Sequence, residues 1–150
     1  MASRTRRLGY ALVGFVAGDA ALLLYMLLNA FWVRSELLAV HMGEPYAQIP
    51  AAIQLFTLYA PFSFAGFLFV GVPVVLLFPV RPMIRWPWFL VVTVGALLGP
   101  LALVIILLLL RARFEAWLIF LSIVASTVAF MVYVALLRRH VGRDNPQEAN

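Results

Sequence analysis

The chain has 150 residues, one domain's worth, of which 65% are hydrophobic and only 11% charged, with a mean hydropathy of +1.04. A soluble domain is about 45–50% apolar and about 25% charged, and at this size it has too little core to hide such a surface, so the composition excludes a water-exposed globule and points to lipid as the solvent. The net charge of +5 is no sign of nucleic acid, because the basic residues flank apolar runs instead of lining one face, and the lack of Cys excludes disulfides, thiolate metal sites and thiol redox chemistry.

Arg4, Arg6 and Arg7 precede the first apolar run, Leu8–Val33. A secretory signal has an apolar region of roughly 7–15 residues, so this run reads as a retained first membrane span and not as a cleaved leader. A stretch of 34–50 follows and reads as an outer loop. Its Leu37, Leu38, Val40 and Met42 suggest a segment lying on the membrane surface. His41 with Glu36 and Glu44 is the grouping nearest to a metal site, but one imidazole and two acids in a loop fix no geometry, and the cluster reads as solvated.

The second span lies within Ala51–Val80, at about 53–80. The whole segment would be about 45 Å of helix against about 30 Å of hydrocarbon, so part of it projects, tilts or bends. Pro61 and Pro73 lie inside it, each depriving the carbonyl four residues earlier (Thr57 and Phe69) of its donor, so bends are expected there. The same segment carries Phe56, Phe62, Phe64, Phe67 and Phe69, which either face lipid and core or line a groove for a lipid, quinone or pigment. A short connection, Arg81–Pro87, leads to the third span, 88–110, in which Pro100 frees the carbonyl of Ala96. Arg111–Glu115 leads to the fourth, 116–137, and residues 141–150 read as a polar, disordered cytoplasmic tail. No span contains a His, so a His-ligated haem has no anchor within them.

All 11 basic residues are Arg, a bias that fits a GC-rich genome, and their distribution sets the orientation. With the N-terminus in the cytoplasm, Arg4, Arg6, Arg7, Arg81, Arg85, Arg138, Arg139 and Arg143 lie inside, and Arg34, Arg111 and Arg113 outside. Trp32, Tyr46 and Trp117 then mark the outer interface, and Tyr10, Trp86 and Trp88 the inner one. The expected fold is all-α: four transmembrane helices in an up-down bundle, with both ends inside.

Asp19 is the one acid within a span, about 16 Å along the helix from Leu8. An acid near the bilayer centre costs roughly 2.5–3.5 kcal/mol to insert, so it should face the bundle interior and find a partner. Helical spacing groups Ala11, Gly14, Gly18, Ala21, Tyr25 and Asn29 on one inward face, with Asp19 at its edge. Gly14 with Gly18, and Gly95 with Gly99, form two small-xxx-small pairs suited to close helix contact. At the depth of Asp19 lie Gly66–Gly71 of the second span, Gly95–Pro100 of the third, and Ser122, Ser126 and Thr127 of the fourth. Asp19 is therefore expected to hydrogen-bond Ser126 or Thr127 and to hold two helices together.

These readings assign the chain to a multi-pass protein of a plasma membrane of the bacterial inner-membrane type. No catalytic motif or cofactor site emerges, and a non-enzymatic accessory or structural membrane subunit is the leading expectation. Its partners would be the lipid bilayer and a larger membrane protein or a second copy, with no nucleic acid. The alternative is a small ion- or proton-coupled transporter using Asp19.

Overall fold

A computed structural model describes residues 4–40, 48–110 and 116–144, and every element in them is helical. The order is α1 (Arg4–Val40), α2 (Gln48–Gly66), a π-helical turn (Phe67–Gly71), α3 (Val72–Leu77), α4 (Val80–Arg85), α5 (Trp88–Leu110) and α6 (Ala116–Asp144). Among the described residues, four helices are long and apolar enough to cross a membrane: Arg4–Trp32, Ile49–Leu77, Trp88–Leu109 and Leu118–His140. In lipid every backbone N–H and C=O must be satisfied within the chain, and uninterrupted helices do so.

The helical ends differ from the expected boundaries. The segment 34–40 continues α1 and is not loop, because Glu36, Leu37 and Leu38 are good helix formers and nothing before Val40 breaks the run. Residues 141–144 likewise extend α6 into the expected tail. Of the rest of the expected outer loop, residues 41–47, with His41, Glu44 and Tyr46, lie outside the described residues, as do Arg111–Glu115 and the end of the tail, whereas 48–50 are helical and begin α2 ahead of the expected start at 53.

The second span departs most from a regular helix. α2 runs through Pro61 without interruption, but ahead of Pro73 the backbone widens into the π-helical turn, where the N–H of Val72 donates to the carbonyl of Phe67, five residues back. Pro73 offers no N–H to the carbonyl of Phe69, and a switch to the wider hydrogen-bonding pattern absorbs the gap that a regular helix would leave. The span ends at Leu77, not Val80: Phe78 and Pro79 are extended, and α4 forms a separate turn of helix. Met83 of α4 is only 1% exposed, so this connection packs under the bundle end, against α6.

α6 is the hub. Its contacts with α1 and with α5 are the most extensive in the molecule, while α2 touches α1 and, less, α5. The buried stripe of α1 is Ala11, Gly14, Gly18, Leu22, Met26 and Ala30. Tyr25 and Asn29, expected on that face, are exposed, because the 3.6-residue period carries the seam towards residues 22, 26 and 30. Two cores result. Leu22, Tyr59, Leu103 and Leu121 belong to one, and Met83, Val91, Tyr133 and Leu137 to the other.

Glycine sets both seams of α6. A Cβ on Gly14 would strike the carbonyl oxygen of Ala129, and one on Gly18 the carbonyl oxygen of Ala125. On the other side a Cβ on Gly95 would lie 3.0 Å from the Cα of Thr127, and one on Gly99 would strike the carbonyl of Ser122 and the hydroxyl of Ser126. The obstacles are mostly backbone atoms, which cannot swing aside, so Gly14, Gly18 and Gly99 leave no room for a side chain, while a Cβ at Gly95 would need its neighbours to give by a few tenths of an ångström.

Candidate functional site: a polar cavity within the bundle

Gly18 faces α6, and one residue further along a helix turns by about 100°, so Asp19 faces away from that seam. It meets the second span. The hydroxyl of Ser63 donates to Oδ1 of Asp19 at 2.7 Å. This corrects the expected bond to Ser126 or Thr127, and also the level expected on the second span, where Ser63 lies about one turn before Gly66–Gly71: counting by depth is loose on a helix whose start the sequence does not fix, and it does not give the direction in which a side chain leaves its helix. Ser126 is engaged elsewhere, placed to donate to the carbonyl of Gly95 at 2.7 Å and to that of Ser122 at 2.6 Å. Ser122 donates to the carbonyl of Ile119 at 2.7 Å. The hydroxyl of Thr127 is buried without a hydrogen-bond partner among the described residues.

Tyr59 lies one helical turn before Ser63 and is 3% exposed. Its hydroxyl stands beside Ser63 and within electrostatic reach of Asp19, so Asp19, Ser63 and Tyr59 form one polar cluster between α1 and α2. Neither Ser63 nor Tyr59 figured in the sequence reading. The available signal was their i, i+4 spacing, about one turn before the level matched to Asp19, on a helix whose Phe residues drew attention first.

The cluster opens on a cavity of about 130 Å³ lined by all four spans and partly open to the outside of the bundle. Asp19, Ser122 and Ser126 line it, together with Tyr59, Ser63 and Tyr133; Thr127 does not. Small residues border much of it, among them Gly66, Gly71, Gly99, Ala102, Ala125 and Ala129. The π-helical turn forms part of its wall, with Phe67, Val70 and Gly71 among the lining residues. The Phe cluster divides. Phe62 and Phe67 line the cavity, Phe67 stacked on Phe15 of α1 with ring centroids 4.7 Å apart, whereas Phe64 and Phe69 are exposed.

A second polar assembly holds one end of the bundle. The guanidinium of Arg138 sits 4.4 Å from the ring centroid of Trp88 and donates through Nη2 to the carbonyl of Trp86. Both partners flank Pro87, so Arg138 fastens the entry of α5 to the end of α6. Close by, His140 packs edge-on to Tyr10 and lies within 3.4 Å of Nη1 of Arg6, linking α6 to α1. Residues read in the sequence as topology markers thus also make specific contacts.

Among the described residues, no group of three or more His, Cys, Asp or Glu is placed to hold a metal ion. The chain matches no family model, no curated protein and no solved structure.

Proposed function

We propose that this protein is a non-enzymatic, multi-pass subunit of a bacterial-type plasma membrane, an up-down bundle with both ends in the cytoplasm that serves a larger membrane partner. The observation that carries this reading is the second span's bare outer face. Leu58, Phe69 and Leu77 are 60%, 68% and 81% exposed, and of the four spans this one is the least covered by the rest of the chain. An irregular, Phe-bearing face offers shape for a partner helix, and van der Waals fit is what drives helices together in lipid.

Support for the up-down arrangement comes from the residue pairings. Gly14 and Gly18 meet Ala129 and then Ala125, and Gly95 and Gly99 meet Thr127 and then Ser122, so the numbering falls on one helix as it rises on the other. Support for the orientation comes from the arginines gathered at one end: Arg6 beside His140, Arg138 on Trp86 and Trp88, and α4 with Arg81 and Arg85 against α6. An arginine-rich end belongs on the cytoplasmic side.

Native mass measurement after gentle extraction tests the accessory role. Stoichiometric association with a larger membrane protein, weakened by Phe69→Ala, is the expected result. A lone monomer or homo-oligomer overturns it. A second reading, a small ion- or proton-coupled transporter, is favoured by the position of Asp19 on an intramembrane cavity, since acids at such depth mark ion paths. Flux through reconstituted protein that Asp19→Asn abolishes, with the fold preserved, would establish that reading in its place.

A further inference from the structure

The cavity has the features of a binding site, and these features are independent of whether a partner covers the second span. Its volume of about 130 Å³ approaches that of the engineered lysozyme cavity of about 150 Å³ that takes up benzene. That comparison cavity is lined only by apolar side chains, whereas this one carries a polar cluster on one wall. Asp19 uses Oδ1 to accept from Ser63, and Oδ2 receives no hydrogen bond from any described residue. Aromatic rings supply much of the remaining wall, with Phe15, Phe62, Phe67 and Phe130 among the lining residues.

We propose that this cavity binds a ring-sized, mainly apolar molecule carrying one hydrogen-bond-donating group, with the donor on Oδ2 of Asp19 and the apolar body among the phenylalanines. Three features carry the assignment together. The free acceptor sits at one side of the space, so it fixes one end of an occupant. The lining elsewhere is mainly apolar and aromatic, apart from Tyr133 and from Ser122 and Ser126, whose hydroxyls are spent on carbonyls, so it accepts a hydrocarbon or aromatic body. On one wall, Phe15, Phe67 and Val70 line the cavity yet remain part exposed, so on this side the cavity reaches the outside of the bundle. Small amphiphiles concentrate in membranes, which places such a molecule at that wall. The π-helical turn forms part of the same wall, consistent with the frequent occurrence of such turns at functional sites.

The test compares three probes of nearly equal size, benzyl alcohol, benzylamine and toluene, added to the full chain in nanodiscs and read by the saturable shift in unfolding temperature. Wild-type protein should respond to at least one donor-bearing probe at a concentration at least tenfold below that needed for toluene. Asp19→Ala should raise that concentration tenfold or more and bring the donor-bearing probe level with toluene. Val70→Phe, which enlarges a lining side chain and leaves the polar cluster intact, should remove the response to all three. A stronger response to benzyl alcohol identifies a neutral hydroxyl as the preferred donor, and a stronger response to benzylamine an ammonium. The proposal is overturned by equal responses to all three probes in wild type, by responses that survive both substitutions and so arise in the lipid, or by no saturable response, which would mark a cavity filled by water alone. Should Asp19→Ala fail to fold, Asp19→Asn, which keeps the shape and an acceptor but adds a competing donor, must weaken the donor-bearing probe while leaving toluene unchanged.

Discussion

Along α6, the neighbouring helices touch backbone to backbone; along the second span, they touch through side chains and leave a void. Gly14 and Gly18 of α1 and Gly95 and Gly99 of α5 bring their main chains against carbonyls and Cα atoms of α6. The second span meets α1 through the Phe15–Phe67 stack and the Asp19–Ser63 bond, and meets α5 where Gly66 faces the Cβ of Ala102. The difference follows from the solvent. Lipid tails are as apolar as leucine, so hydrophobic burial does not draw helices together, and tight packing needs small residues at the seam. Where the sequence supplies Phe in place of Gly, the helix stands off, and a polar cluster with room around it can be kept.

That contrast is open to direct attack. The largest effect is expected from Gly18→Val, whose new side chain must occupy the position of the Ala125 carbonyl oxygen. Since the obstacle is backbone, α1 has to leave α6, and a loss of about 3 kcal/mol or more is expected from overpacking, measurable by reversible unfolding in mixed micelles. Gly9→Val, with nothing within 4 Å of its Cβ, should be nearly silent in the same assay. Equal stability of the two variants would dissolve the distinction between seam and surface.

Arg138→Gln comes next. It removes the cation over Trp88 and a charged donor to the carbonyl of Trp86, together worth about 2 kcal/mol. The emission of the tryptophans at that end should shift with the loss, and Arg138→Lys should restore little, because an ammonium lacks the planar face that lies on the ring. On the looser side, Ser63→Ala should cost about 1 kcal/mol, the scale of one intramembrane hydrogen bond. A cost as large as that of Gly18→Val would show that the second span depends on Asp19 as firmly as α1 depends on its glycines. The smallest change is expected from Gly66→Ala. Its Cβ would lie 3.4 Å from Ala102 and 3.7 Å from Ile106, ordinary contact distances, and removal of a mid-helix glycine favours the helix by up to about 1 kcal/mol. The variant should be unchanged or slightly stabilised, and a marked destabilisation would mean that the second span is packed as tightly as the seams.

The four spans were legible in the sequence because a run of about 20 apolar residues has few other uses. The glycine pairs were legible as spacing, though spacing alone did not say which helix would meet them. Asp19 announced itself through the cost of its burial, but its partner did not. Rise along a helix is fixed at about 1.5 Å per residue, so depth is readable to within about a turn, as the second span's shift from Gly66–Gly71 to Ser63 shows, whereas the rotation of one helix against another depends on packing among all four. Hence Ser126, at the correct level, turned out to serve the carbonyl of Gly95, and Ser63 took the role assigned to it. Pro73 flagged trouble in the second span, yet a proline is compatible with a kink, a break or a wider turn, and the choice of a π-helical turn rests on the surrounding contacts. Hydropathy also ended α1 at Arg34 because it measures affinity for lipid, while the helix itself continues through residues that merely favour helical backbone.

The central place of α6 bears on how the protein is made. α1 and α5 are synthesised before it, and each carries a glycine groove whose counterpart has yet to leave the ribosome. Until residue 116 and beyond are inserted, the nascent chain has only its loosely joined second span to order it. Biogenesis therefore has a vulnerable interval late in translation, when three spans are in the membrane and the helix that joins them is not. Membrane chaperones and proteases that survey open helix faces would find this chain during that interval, and a chain truncated ahead of α6 would remain in it.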